Sequence, residues 1–364
     1  MLNWLESIQD RSGFYARHGA AARRDRDFDW RWFHSRPSGR FIDARRHAKN
    51  LLFRLGLGKA RPISVQWLRD NAEQLWSTRL MFSDDVSRLM FDEHLVLKVT
   101  DHRKHYFPRM DFEELLSVVA EEPFRDPALP SEYLGLPLMV FTVQPANGGM
   151  PVRVITTRLQ LDLLNGFRQY LPHRNGVDLG PREGDVVIDC GACIGEVSLV
   201  FASMVGASGQ VHLFDPVPLH GRFCQLQGQL NPSLAPLLHV NTLAVGDTVH
   251  NAVGARADSG HIEPGAIPID QFSSTTIDDY CMRQGLDRLD FIKMDIEGSE
   301  LAALNGGAQS IARFKPRLAI SAYHKADDLW VLARRIKEIN PGYRLSFGHH
   351  SPIQWESVLY ADNP

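Results

Sequence analysis

The chain has 364 residues, 44% hydrophobic, 23% charged and 9% aromatic. These are ordinary proportions for a globular protein and exclude a disordered chain, a collagen-like fibre and a disulfide-stapled miniprotein. The net charge of -3 conceals a split: residues 11–61 carry twelve Arg and two Lys against four Asp, a net of +10, and residues 62–364 carry -11.

At about 150 residues per domain, two or three units are expected. A basic arm over 1–61 suits an anionic membrane surface, a nucleic acid, an acidic neighbour or a solvated leader. Its breakers Pro37, Gly39, Gly56 and Gly58 predict helical patches but no long regular element. No run approaches the roughly 18 uninterrupted apolar residues of a membrane-crossing helix. The opening MLNWLESIQD lacks the basic-then-apolar pattern of a secretory leader, so a cytoplasmic setting is expected.

Residues 62–175 read as an accessory, mainly helical unit. Ser64 is placed to cap a helix running to about Leu80, with Leu68, Ala72, Leu75 and Trp76 inward, and Ser83 and Asp111 to cap two more. Leu136–Val143 and Val152–Thr156 predict a β-hairpin, and a helix is expected near Arg158–Tyr170. Trp67, Trp76, Tyr106 and Phe107 are candidates for a glycan cleft, with core packing the commoner fate of such residues.

From about Gly176 strands and helices alternate. Strands are expected at Val186–Asp189, Val211–Asp215, His239–Val245, Asp290–Asp295 and Leu318–Tyr323, with helices between. This pattern predicts a doubly wound α/β sheet over 176–364. Tyr343–Phe347 and Trp355–Tyr360 have no helix between them and predict an antiparallel hairpin at the sheet edge.

Four groups of residues carry chemistry. In Val-Val-Ile-Asp189-Cys190-Gly191-Ala192-Cys193-Ile194-Gly195 a buried strand enters a Gly-rich turn that opens a helix. A dinucleotide fingerprint would place Gly at 191, 193 and 196, whereas Cys193 and Glu196 stand there. Asp189 would repel a pyrophosphate but suits the positive amino group and sulfonium of S-adenosylmethionine. Asp215 ends the next strand in His-Leu-Phe-Asp-Pro, where an acid either accepts ribose hydroxyls or caps a helix. Asp247 is placed to meet an adenine or to serve as an ordinary turn residue. Asp290-Phe-Ile-Lys293-Met-Asp295-Ile-Glu297-Gly-Ser-Glu300 and Ser321-Ala-Tyr323-His324-Lys325 end two further strands at the edge where α/β ligand sites lie. Lys293 reads equally well as a buried partner of a carboxylate. Cys190 and Cys193 form a lone C-x-x-C with no second half of a zinc site, and reduced thiols are expected.

Across 176–364 the motifs VVIDCGACIGEVSL, HLFDPVP, LAVGD, TTIDDY, DFIKMDIEGSE and AISAYHK resemble the FkbM family of S-adenosylmethionine-dependent methyltransferases. The resemblance implies a seven-stranded, Rossmann-like methyltransferase sheet and O-methylation of a sugar, glycan or natural-product hydroxyl. It further implies that Asp189, Gly191, Cys193, Gly195 and Asp215 hold the cofactor, while Asp295, Glu297, Glu300 and His324 surround the reacting centre. The chain departs from the family pattern at Cys193, commonly Asn, and at Asp215, commonly Glu.

The mechanism expected on this basis needs an acceptor oxygen in line with the methyl and a general base. His324 or Asp295 is expected to take the proton, with Glu297 and Glu300 orienting the substrate. The same four residues offer a ligand set for Mg²⁺ or Mn²⁺. A nucleic-acid methyltransferase using the basic arm is the main alternative, but Asp-Ile-Glu-Gly replaces the Asn/Asp-Pro-Pro-aromatic turn of base amino-methylation, and the acidic body opposes a phosphate-lined channel. A scaffold that keeps the fold without catalysis is the other.

Overall fold

The computed structural model describes residues 1–22, 64–100, 116–133, 135–145, 151–174, 177–251, 272–351 and 354–363. Most of the basic arm, its boundary at 61, the proposed cap Asp111, the aromatic pair Tyr106 and Phe107, and the boundary near Gly176 lie outside these residues.

A long helix, α1 (Leu2–Ala22), opens the chain where only helical patches were expected. Trp4, Ile8 and Ser12 recur at four-residue spacing and are buried, so one stripe of an otherwise charged segment docks. Trp4 Nε1 donates to Asp92 at 2.7 Å and Arg11 pairs with Glu93. Ser64 caps α2 (Val65–Asp70), accepting the Trp67 N–H at 3.2 Å. The helix does not run on to Leu80. The side chain of Asn71 donates to the Trp67 carbonyl at 2.8 Å, closing α2 before α3 (Ala72–Met81) begins. The cap of α4 (Asp85–Val99) is Asp84 and not Ser83: its carboxylate accepts the Ser87 N–H at 2.7 Å.

The predicted hairpin supplies two of the three strands of a larger sheet. Strands β1 (Leu116–Pro123), β2 (Met139–Pro145) and β3 (Val152–Thr156) pair antiparallel in that order, while Leu136 and Pro137 pair with Glu132 and Tyr133 in a separate ribbon. β1 exposes Val118 and Val119 and buries no alternating face, so it leaves no period-two signal. Helix α5 (Arg158–Asn165) follows, with a Thr157–Gln160 capping box.

The remainder alternates as expected: β4 (Val186–Cys190), α6 (Glu196–Val205), β5 (Gln210–Phe214), α7 (Pro218–Leu230), β6 (Leu238–Asn241), α8 (Ile277–Gln284), β7 (Phe291–Met294), α9 (Glu300–Gly306), α10 (Ala308–Phe314), β8 (Arg317–Ser321), α11 (Asp328–Ile339), β9 (Arg344–His349) and β10 (Ser357–Asp362). The seven strands lie in the order β6-β5-β4-β7-β8-β10-β9, the first five parallel. β10 runs antiparallel to both β8 and β9, so the terminal hairpin inserts its last strand inside the sheet and leaves β9 at the edge. All six residues of β10 are buried, as a strand covered on both faces requires.

The exposed edge of β9 is closed by the accessory helices. Ser83 N–H donates to the Leu345 carbonyl at 2.9 Å, and Phe347 N–H donates to Ser87 Oγ at 2.9 Å. Phe82, Phe91 and Phe347 stack around one point with ring centroids 5.2–5.8 Å apart. Burying each such ring stabilises the joint by about 2–3 kcal/mol. Trp67 packs against Trp330 and Trp76 against Trp4, which places both in this core and away from any glycan cleft. Among the described residues no helix is long and apolar enough to cross a membrane, and all four cysteines are free.

Candidate functional site

Strand order reverses between β4 and β7, and open α/β sheets bind ligands in the crevice beyond the carboxyl ends of such a pair. A cavity of about 560 Å³ lies there. One half is formed by the turns after β4 and β5 and the segment after β6. The other is formed by the turn after β7, by Gln169 and Tyr170, and by Glu356 from the loop before β10.

In the first half, β4 ends in Gly191, with φ +81, and a Cβ there would stand 1.8 Å from the Asp295 carbonyl oxygen. Gly195, with φ +83, starts α6 so close to α7 that a Cβ would meet Cys224 Sγ at 3.0 Å. Both glycines therefore serve close chain packing, and Gly191 also lines the cavity. Gly191→Ala is expected to cost roughly 1–3 kcal/mol from its left-handed backbone alone, with the clash displacing the Asp295 turn; urea denaturation measures this directly.

Asp189 was expected to face the cofactor's positive groups. It is instead fully buried, hydrogen-bonded by Ser198 Oγ at 2.5 Å and ion-paired with Lys293 Nζ at 3.0 Å. Lys293 also donates to the carbonyls of Gly191 at 2.7 Å and Cys190 at 3.3 Å. Burial opposes its charge, but Asp189 and Asp295 more than offset this and keep the ammonium protonated. Lys293 is thus the buried carboxylate partner that the sequence left open.

Asp215 does line the cavity. It accepts the Cys193 N–H at 3.0 Å, the Val217 N–H at 2.9 Å and His220 Nδ1 at 2.9 Å. The Val217 bond is an Asx-type turn leading into α7, so turn formation and cavity lining coincide in one carboxylate. Cys193 sits at φ +52 with its thiol 3.0 Å from Tyr133 Oη. Burial, Glu196 and Asp215 hold that thiol well above its ordinary range, which keeps it neutral. Asp247 is exposed and lies outside the lining, to which Leu243, Ala244, Val245 and Phe272 contribute an apolar wall.

In the second half, Asp295 accepts Tyr170 Oη at 2.6 Å and Tyr323 Oη at 3.0 Å, with His324 Nε2 at 3.3 Å. The other face of the imidazole meets Glu300, Nδ1 to Oε1 at 2.9 Å, while Glu297 lies 3.5 Å from Nε2. Burial pulls the imidazole pKa down, yet Glu300, Asp295 and Glu297 together raise it to about 9. With its pKa raised, His324 is a buried imidazolium at neutral pH and lies outside the cavity lining. The stability it contributes is complete below its unfolded value near pH 6.5 and is lost as pH rises through about 9. Glu300 is also fully buried; its carboxylate accepts the Ile296 N–H at 2.9 Å and closes the turn.

Glu297 remains at the cavity wall, 39% exposed and at φ +55. Burial pushes its carboxyl up to about 7, with His324 opposing and Asp295 and Glu300 reinforcing. Glu356 (φ +69) stands across the cavity, accepting Gln169 Nε2 at 2.5 Å, and burial with Asp295 raises it also to about 7. Neither Glu356 nor Tyr170 lies in a recognisable motif. One physical signal unites them: of the six non-glycine residues with positive φ among the described residues, Tyr170, Cys193, Glu297 and Glu356 line this cavity. Strained backbone of this kind concentrates at functional sites.

Asp295, Glu300 and His324 bring one ligand atom each within 4.8 Å of one another, the nearest approach to the expected Mg²⁺ or Mn²⁺ site among the described residues. Glu300 approaches Nδ1 at 2.9 Å, while Asp295 and Glu297 approach Nε2 at 3.3 and 3.5 Å. A neutral imidazole would be needed for a cation to bind there; the imidazolium itself brings one positive charge to these acids.

Residues 189–345 match the family model described as the methyltransferase FkbM domain. Among solved structures, the methyltransferase FkbM of Methylobacillus flagellatus KT is similar with a TM-score of 0.55 and 22% identity, over 95% of this chain and 76% of that one. It shares the fold. Aeropyrum pernix fibrillarin, solved with natively bound S-adenosyl-L-methionine, is similar at 12% identity and a TM-score of 0.33, over 67% of this chain and 99% of that one. A SAM-dependent methyltransferase from Aquifex aeolicus aligns over 50% of this chain and 84% of its own, at 16% identity and a TM-score of 0.30. No curated protein matches the chain.

Proposed function

We propose that this chain, whose residues 189–345 match the methyltransferase FkbM domain model, transfers a methyl group from S-adenosylmethionine to a hydroxyl of a sugar, glycan or natural product. The observation that carries the reading is the two-part cavity at the strand-order reversal. Its first half joins an apolar wall to Asp215, which suits an adenine and its ribose. Its second half gathers Asp295, Glu297 and Glu356 around the adjoining space. The cofactor supplies an already activated methyl group. The protein must orient the acceptor oxygen and remove its proton.

Asp295, fixed by Tyr170 and Tyr323, suits the orienting role, and Glu297 suits the proton-accepting one. Five carboxylates line the cavity (Glu196, Asp215, Asp295, Glu297 and Glu356) against Lys293 and Lys325. That balance favours a neutral polyol over an acceptor bearing phosphate, and so disfavours nucleic acid. The basic arm is assigned to docking on an anionic surface or an acidic partner, apart from the chemistry.

Calorimetric titration with S-adenosylmethionine, followed by radiolabelled methyl transfer into fractionated glycans, lipids, small molecules and oligonucleotides, tests the reading. Label in neutral hydroxyl compounds is expected. Label confined to RNA or DNA would favour the nucleic-acid alternative, and absence of any cofactor affinity would favour a scaffold.

A further inference from the structure

The acid that ends β4 was the expected receptor for the cofactor's positive end, and it is consumed by Ser198 and Lys293. A second carboxylate stands free in its place. Glu196, the first residue of α6, is only 6% exposed, lines the cavity, and leaves Oε2 without a hydrogen-bond partner. Acids in a first helical turn are ordinary when solvated. This one is buried, and a buried carboxylate oxygen without a donor is costly unless a ligand completes it.

The groups around it do not serve that oxygen. The ammonium of Lys293 has three N–H donors, and these face Asp189 and the carbonyls of Gly191 and Cys190. The thiol of Cys193 donates to Tyr133, and the Nδ1 of His220 faces Asp215. We propose that Glu196 receives the ammonium group of the amino-acid portion of S-adenosylmethionine. Of that cofactor's two cationic centres, the sulfonium has no N–H to give, whereas the ammonium has three. This inference rests on the cofactor assigned above. It moves the recognition of the cofactor's positive end seven positions along the chain, from the strand to the helix.

The test compares two ligands on the full-length protein by calorimetry. S-adenosylhomocysteine keeps the ammonium; 5′-deoxy-5′-methylthioadenosine keeps the adenosine and sulfur but lacks the amino-acid chain. Glu196→Gln is expected to weaken S-adenosylhomocysteine roughly 10- to 100-fold, the scale of one charge-assisted hydrogen bond, and to leave methylthioadenosine within about twofold. Equal loss of both ligands would mark Glu196 as a structural or ribose-side residue and overturn the proposal. Unchanged S-adenosylhomocysteine affinity would overturn it as well. Should Glu196→Gln fail to fold, Glu196→Asp, which keeps the charge and shortens its reach, is expected to show the same ligand-selective loss. Wild-type protein that binds neither ligand would instead defeat the cofactor assignment, and the inference with it.

Discussion

Lys293→Met is expected to destabilise the protein by about 3–5 kcal/mol, the cost of leaving a buried carboxylate without its partner. Asp189 is fully buried, and without the ammonium its remaining side-chain support is one hydroxyl. The same lysine ties β7 to the turn after β4 through two carbonyls, so its loss also releases Gly191 from the Asp295 strand. Adding Asp189→Asn to Lys293→Met should restore much of the lost stability, because the uncompensated charge is then absent. Urea denaturation of the natural protein and the two variants measures this. A single variant within about 1 kcal/mol of the natural protein, or a double variant no better than the single, would show that the ion pair is not what holds the two strand ends together.

This pair also shows what was and was not legible in the chain. The alternation of apolar strands and amphipathic helices after residue 176 placed the parallel sheet, because buried parallel strands write continuous apolar runs. The motif acids were likewise placed at strand ends, where a crevice forms. Which way each acid turns depends on partners distant in sequence. Asp189 and Lys293 lie 104 positions apart, and only the β4–β7 register makes them neighbours. His324 looked like a base because one imidazole among acids reads that way locally; three surrounding carboxylates make it a cation. Tyr170 and Glu356 gave no signal at all, since they reach the cavity from an accessory segment and from the loop of the terminal hairpin. β1 and α1 were missed for the opposite reason: their local sequence is charged or unpatterned, and tertiary docking alone selects their structure.

On the proposed reading, in which Glu297 takes the acceptor's proton, Glu297→Gln is expected to lower kcat by roughly 10²- to 10⁴-fold, the usual worth of a positioned base. Affinity for S-adenosylmethionine should stay within about threefold, since the side chain belongs to the acceptor half of the cavity. The pH profile carries the sharper prediction. A base acts in its deprotonated form, and burial has raised Glu297 to about 7, so kcat/KM should climb as pH rises through that value and level off above it. In Glu297→Gln the rising limb should disappear along with the rate. Glu356 titrates in the same range from the opposite wall, which makes Glu356→Gln the necessary control. If that variant loses the limb while Glu297→Gln keeps it, the base is Glu356 and the acceptor lies against the terminal hairpin. If Glu297→Gln alone loses it, the left-handed turn after β7 presents the proton acceptor. The buried imidazolium behind that turn then has a defined task. Its single positive charge offsets part of the negative charge of Asp295 and Glu300, beside which Glu297 stands at the cavity wall.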